Sequence, residues 1–336
     1  MAPDSFIWRD AGRTVVFRRN GVAQAPQLFR EHNFEPFELL TTARGLAAAS
    51  GLGAAAAAVH MVPGGQVPDL AATLVETATS PALVAFGGGR AIDVAKAVAS
   101  VTGARVAAIP TTMSGAEMTG IHRLPAGAES RVASLVRPAL VIADPVAMTS
   151  QDEAPLRASA MNALAHGADS LYTPFANPVS EMAALRGAEL IASSLDQARE
   201  ERNPAALALG SLLCGYAIDS AMFGIHHVVC QTLVRVCGSP HAETNAAILP
   251  RALALLVARA PDRLAALAAA IETDPEDIEA RVLQLGGDPA GLGAVGADRG
   301  KLEGALDSML VRPELAFVPG PPVGRDDLEQ LIESAW

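Results

Sequence analysis

No cluster of lysine and arginine occurs anywhere in this 336-residue chain, whose formal net charge is -11 from 36 acidic and 25 basic residues. A surface of that sign repels phosphate backbones and anionic headgroups, so no nucleic-acid and no membrane partner is expected and a small molecule is favoured. Cysteine is scarce as well. Cys214, Cys230 and Cys237 lack CxxC spacing and share one apolar region, the pattern of core residues in a reducing, cytoplasmic setting. The opening residues, Met1 to Asp10, have neither a basic start nor an apolar run, so no secretory leader is expected. The longest apolar stretch, Ala205 to Cys237, is interrupted by Asp219, His226, His227, Gln231 and Arg235, which reads as one or two buried helices rather than a membrane span. No internal repeat is present. With 50% apolar residues the chain has material for a large core and for two domains.

Six short runs carry strand signals: Arg13 to Phe17, Phe37 to Thr41, Ala57 to Met61, Ala82 to Phe86, Arg105 to Ile109 and Ala139 to Ala143. Most are apolar on both faces and alternate with Ala-rich helical stretches, which suits a parallel sheet covered by helices. Strand signals stop at Ser150. Helical periodicity then dominates Glu181 to Leu195, Ala205 to Cys237, Ala246 to Arg259 and Asp262 to Thr273. The expectation is an α/β nucleotide-binding domain over residues 1–149 and an all-helical domain over 150–336, with Pro145 to Pro155 as hinge. Gly286 to Gly300 reads as a loose connection, and Phe317 to Pro322 as a turn before the last helix.

Two loops follow apolar strands. Gly87, Gly88 and Gly89 lead into Arg90, Asp93 and Lys96, a strand, glycine turn and helix. Free N–H groups and the positive end of the helix dipole favour a phosphate there, and Arg90 would add charge. The pattern is not GxGxxG, and tight turns also use glycine for structural reasons. The second loop, Pro110 to Thr119, holds Thr111, Thr112 and Ser114, hydrogen-bonding groups at a strand end where ligands of open α/β sheets bind. A polar surface loop would look the same.

The helical half gathers the chemistry. Asn162 and His166 stand i,i+4 on one helix face, His227 belongs to the next long helical stretch, and His241 opens the one after. Several imidazoles and an amide gathered in one pocket, in a chain that also carries a glycine-rich strand-to-helix turn, point to an enzyme.

These motifs in order, Gly87-Gly-Gly-x-x-x-Asp93-x-Ala-Lys96, Pro110-Thr-Thr and Asp144-Pro145, resemble the iron-containing (group III) alcohol dehydrogenase superfamily. Asn162-Ala-Leu-Ala-His166, Leu171-Tyr172, Asn177-Pro178, His226-His227-x-x-Cys230 and Pro240-His241-Ala-Glu-Thr244 resemble its maleylacetate reductase branch, and the resemblance spans Phe6 to Trp336. It implies a Rossmann-like dinucleotide-binding domain followed by an all-α domain, the dehydroquinate synthase-like arrangement. It implies NADH or NADPH on Gly87, Gly88, Gly89, Arg90, Asp93, Thr111, Thr112, Ser114 and Thr41. The strand end Thr41-Thr42-Ala43-Arg44 lacks an acid for a ribose 2′-hydroxyl, so strict NAD specificity is not indicated and Arg44 would meet a 2′-phosphate.

The metal-dependent branch holds its cation with an Asp and three His, and those positions match Asn162, His166, His227 and His241. An amide in place of the carboxylate weakens the site for iron or zinc, and no metal is expected. The resemblance thus implies an NAD(P)H-dependent, metal-free reductase taking maleylacetate to 3-oxoadipate, or acting on a related unsaturated oxo-acid, in aromatic-compound breakdown. His227 and His241 would polarise the carbonyl and donate a proton, His166 and Asn162 would orient groups, and a homodimer would form through the arm from Phe6 to Phe17. The alternatives are a metal-dependent alcohol dehydrogenase or aldehyde reductase, and a diverged member with lost or non-redox activity. Gln66, Arg90, His122, Gln231, Val234-Arg235 and Asn245 depart from the branch's usual residues. Arg90 and Arg235 would either bind anions or crowd the site.

Overall fold

A computed structural model describes residues 5–10 and 12–336; the first four residues of the stretch read as lacking a leader lie outside it. The chain divides into two compact units, Met1–Ser150 and Gln151–Trp336. The first contains every strand: β1 (Ser5–Asp10), β2 (Arg13–Arg18), β3 (Glu38–Thr41), β4 (Ala58–Met61), β5 (Ala82–Gly87), β6 (Arg105–Pro110) and β7 (Leu140–Ala143). Its helices are α1 (Gly21–Glu31), α2 (Ala43–Ala48), α3 (Ser50–Ala55), α4 (Val67–Leu74), α5 (Gly89–Thr102) and α6 (Pro145–Met148).

The strands form one sheet in the order β1-β2-β7-β6-β5-β3-β4, parallel except for the β1–β2 hairpin at one edge. Alternation along β5 explains why its sequence is apolar throughout. Leu83 and Ala85 join Leu40, Val106 and Ala108 under α4 and α5, while Val84 and Phe86 join Leu39, Ala107, Ile109 and the α1 residue Phe29 on the opposite face. Register then sets the ligand-side geometry. Thr41 pairs with Phe86 and Gly87 with Pro110, so the ends of β3, β5 and β6 lie side by side.

The expected hinge, Pro145 to Pro155, contains the division between the two units together with α6 and the start of the next helix. Asp144 accepts a hydrogen bond from Val146 N–H (3.1 Å) and Pro145 occupies the first helical turn, where its missing N–H has no consequence.

The second unit is helical, as α7 (Glu153–Ser170), α8 (Pro178–Leu195), α9 (Pro204–Ala221), α10 (Ile225–Val236), α11 (His241–Arg259), α12 (Pro261–Ala270), α13 (Ile278–Gly286), α14 (Leu302–Leu310) and α15 (Arg325–Glu333). The apolar stretch from Ala205 to Cys237 is two helices, broken at Met222, whose φ of 63° no helix continues. Among the described residues α9 alone is long and apolar enough to cross a membrane, and it is packed against α7 and α8. The α8–α9 contact is close to backbone on backbone. A methyl group at Gly187 would lie 2.5 Å from Cys214 Sγ and 2.8 Å from the Gly210 carbonyl. All three cysteines are free and buried.

Candidate active site

The site in the helical unit starts from α7. Asn162, His166 and Asp169 recur at i, i+4 and i+7, and all three are buried. Two of them were expected. Asp169, wholly sealed from water, is the group that sequence reasoning passed over. Its signal is visible afterwards as a carboxylate on the histidine face of a helix whose other residues from Ala158 to Ser170 are small or apolar and buried.

A buried carboxylate is costly unless it is fully hydrogen-bonded. Asp169 meets that demand from the start of α10, where helix geometry leaves N–H groups unpaired. Its Oδ2 accepts from Gly224 N–H (3.0 Å), His227 N–H (3.3 Å) and His227 Nδ1 (2.8 Å), while Oδ1 accepts from the Tyr172 hydroxyl. The Tyr172 oxygen in turn accepts from Ile225 N–H (3.0 Å). Gly224 is required here because a Cβ would stand 2.2 Å from the Tyr172 hydroxyl. Burial pushes the Asp169 carboxyl up, but the His227 hydrogen bond and the neighbouring imidazoles outweigh it, and it settles at about 2. Burial and the Asp169 charge raise the Tyr172 hydroxyl well above its ordinary range, so it remains a donor.

With Asp169 ionised, His227 carries its Nδ1 hydrogen toward the carboxylate. Its Nε2 is buried and has no hydrogen-bond partner. The His166 ring stacks on His227 with centroids 4.9 Å apart, and its Nδ1 is also buried and without a partner. Burial, then the imidazoles of His227, His226 and His241, hold His166 well below its ordinary value, so it is neutral. His226, lowered to about 3 first by burial, is tied instead to Asn245 Oδ1 (2.8 Å), and Asn245 Nδ2 donates to the His241 carbonyl (2.6 Å). Asn245 therefore braces α10 on α11. His241 is the first residue of α11, exposed, and close enough for its charge to act on His166 and His226.

Asn162 presents an amide, and the Asp169 carboxylate is committed to four donors. Among the described residues no three His, Cys, Asp or Glu side chains converge as a cation site.

The α/β unit brings the two expected loops together. Thr111 N–H donates to the Gly87 carbonyl (3.0 Å). A Cβ at Gly88 would meet Thr112 at 3.1 Å, and one at Gly89 would meet Ser114 at 2.9 Å. Beside this glycine cradle the Thr112 hydroxyl is buried without a partner, and Arg90 is exposed at the start of α5. These features fit an anionic ligand at a helix N-terminus. Two residues expected at the ligand have other tasks. Thr41 is fully buried and its hydroxyl donates to the Phe86 carbonyl (2.7 Å), bracing the strand ends. Asp93 accepts from Lys96 Nζ (2.9 Å), a fully buried ammonium that also donates to the carbonyls of Ala116 (3.0 Å) and Ile121 (2.8 Å) and so anchors the second loop. Arg13 from β2 adds a bond to the Met118 carbonyl (2.6 Å).

Of the departures, Gln66 is exposed at the start of α4, and His122 is used within its own loop, between the Arg123 carbonyl and Val136 N–H. Arg235 is exposed on α10, and Gln231 faces Arg312.

Comparison with known proteins is consistent across the chain. Residues 16–146 match the model for iron-containing alcohol dehydrogenase, and residues 157–335 match that for the Fe-containing alcohol dehydrogenase family, C-terminal part. Maleylacetate reductase 1 of Rhodococcus opacus is 32% identical over 81% of this chain and 77% of its own length. The crystal structure of maleylacetate reductase from Rhizobium sp. superposes with a TM-score of 0.82 at 26% identity, covering 100% of this chain and 99% of that one. An iron-containing alcohol dehydrogenase from Corynebacterium glutamicum gives 0.83 at 28% identity, covering 96% and 94%.

Proposed function

This chain belongs to the iron-containing alcohol dehydrogenase family, in its maleylacetate reductase branch, and from that premise we propose that it reduces maleylacetate to 3-oxoadipate, or a closely related unsaturated oxo-acid, with NADH or NADPH and without a metal ion. The observation that carries the reading is His227, whose Nδ1 is fixed by the ionised Asp169 while its buried Nε2 has no partner. Gly88, Gly89, Thr112 and Ser114 would hold the dinucleotide, with Arg90 adding positive charge. When bound, the reduced nicotinamide supplies hydride to the substrate.

Hydride added to the carbon–carbon double bond of a conjugated oxo-acid leaves an enolate, with negative charge on the carbonyl oxygen. His227, doubly protonated for this step, meets that charge through Nε2–H and passes the proton on, so that an enol forms and ketonises to the 3-oxo product, while Asp169 holds the Nδ1–H side and keeps the ring from turning as its charge changes. His166, neutral and stacked on His227, orients the ring and substrate together with Asn162, and His241 is the second donor. The acid–base pair performs what a cation would do as a Lewis acid elsewhere. Thr41-Thr42-Ala43-Arg44 offers no carboxylate at the strand end and leaves Arg44 exposed, which supports use of either nucleotide. The three free cysteines suit a cytoplasmic setting in aromatic-compound breakdown, and the edge strand β1, with Ile7 half exposed, suits pairing into a homodimer.

The deciding experiment is oxidation of NADH and NADPH by the purified protein with maleylacetate, run with and without a chelator. The expected result is turnover that chelation leaves unchanged. Activity abolished by chelation and restored by iron or zinc would replace the acid–base reading with a metal-dependent one, and no turnover with either nucleotide would remove the reductase reading.

A further inference from the structure

Within α10, His227 and Gln231 stand four apart on one face, and Phe223, two residues before the helix, packs its ring against His227, so the three side chains form a line with the acid–base imidazole in the middle. Arg312, just past α14, lies over both ends of that line. Its guanidinium is 5.9 Å from the centre of the Phe223 ring, and its Nη2 and Nη1 are 3.4 and 3.5 Å from Gln231 Oε1. The Phe223 ring in turn packs on the His227 imidazole at 5.8 Å.

Glu314 fixes the guanidinium by its far edge, accepting from Nε and Nη2 at 2.9 Å each. That clamp occupies two of five N–H groups. The remaining three, on the Nη side, are served only by the Gln231 contacts, which are longer than a normal N–H···O bond. The chain therefore holds a pre-oriented, half-buried planar cation with unused donors beside Gln231, which stands one helical turn, about 5.4 Å along α10, from His227. A 3-oxo acid carries its carboxylate two carbon–carbon bonds from its keto group, so one small substrate offers both groups close together.

We propose that Arg312, with the Gln231 amide beside it, binds a carboxylate of the substrate while His227 meets the keto oxygen. Gln231 turns its amide nitrogen to the bound anion, and the weak contacts to Arg312 are exchanged for two charge-assisted ones. Glu314 keeps the fork aimed from the Nε–Nη2 edge and leaves the remaining Nη hydrogens for the bound anion.

The inference rests on the reductase reading for the identity of the substrate, and the test separates the two. Binding of 3-oxoadipate is measured by calorimetry on the wild type, Arg312→Met, Arg312→Lys and Gln231→Glu, alongside steady-state kinetics with maleylacetate. Removing a charge-assisted pair should weaken 3-oxoadipate binding and raise the KM for maleylacetate by roughly ten- to a hundredfold, with kcat and the KM for NADH nearly unchanged. Arg312→Lys should recover part of the loss, since it keeps the charge but not the fork. Gln231→Glu, which leaves Arg312 in place and puts a competing anion beside it, should weaken binding as well. Equal affinity in all four proteins overturns the role of Arg312 and leaves the reductase reading standing. Binding that depends on Arg312 in a protein that oxidises neither nucleotide upholds the carboxylate site and overturns the reductase reading.

Discussion

Asp169 receives hydrogen bonds from two backbone amides, an imidazole and a phenol, and each donor fixes something different. The amides secure the start of α10, the phenol secures the α7 end, and the imidazole gains a defined tautomer. Asp169→Asn keeps the size and removes the charge, and its amide nitrogen presents a donor where only an acceptor is tolerated. Catalysis should then fall by roughly two to four orders of magnitude in kcat, with the KM for NADH within a few-fold of wild type. A kcat within threefold of wild type would show that His227 does not act through this carboxylate. Asn162, His166, His227 and His241 were legible because their spacing in sequence puts them on helix faces. Asp169 was not, because its meaning depends on His227, 58 positions later, being folded onto it. The same holds for Arg312, whose significance arises only once α14 has brought it over α10.

The elements tell a similar story. Six of the seven strands, β2 to β7, were readable to within a residue or two because a covered parallel strand has few polar positions to mislead, whereas the antiparallel edge strand β1 was not among the six runs. The short helices α2 and α3 were not, since six-residue segments rich in alanine and glycine have too few turns to establish a period. Nor was the place where α9 gives way to α10, which is set by one residue's backbone at Met222. Helix packing yields the second prediction. Gly187 on α8 touches Cys214 and Gly210 of α9, and the buried backbone carbonyl there has nowhere to retreat. Gly187→Ala should therefore lower stability by about 1–3 kcal/mol despite alanine's better helix propensity, read as a shift in the urea midpoint. An unchanged or raised midpoint would mean that the two helices have room to separate.

For the molecule as a whole, the most consequential buried charge outside the acid–base site is Glu117. It is sealed in the α/β unit with no other residue hydrogen-bonded to either oxygen, and burial, only partly offset by its own backbone N–H and then by Lys96 and Arg13, raises its carboxyl from 4.5 to about 7. The folded state thus holds a proton that the unfolded chain has released. The stability tied to that proton is fully present below about pH 4.5 and is lost as pH rises through about 7. Glu117→Gln should match the wild type near pH 4.5 and exceed it by about 3 kcal/mol at pH 8, measured by denaturant unfolding. A gain that did not vary with pH would locate the effect in packing instead. The order of the chain adds one more consequence. The glycine cradle, its threonine partner and the Lys96 anchor all come from the first 150 residues, whereas the imidazoles, Asp169, Tyr172 and Arg312 all come from the remainder. On the proposed reading, the groups that would set nucleotide preference and those that would do the acid–base chemistry lie in two uninterrupted stretches of sequence, so a chimaera joined near residue 150 would exchange one set without altering the other.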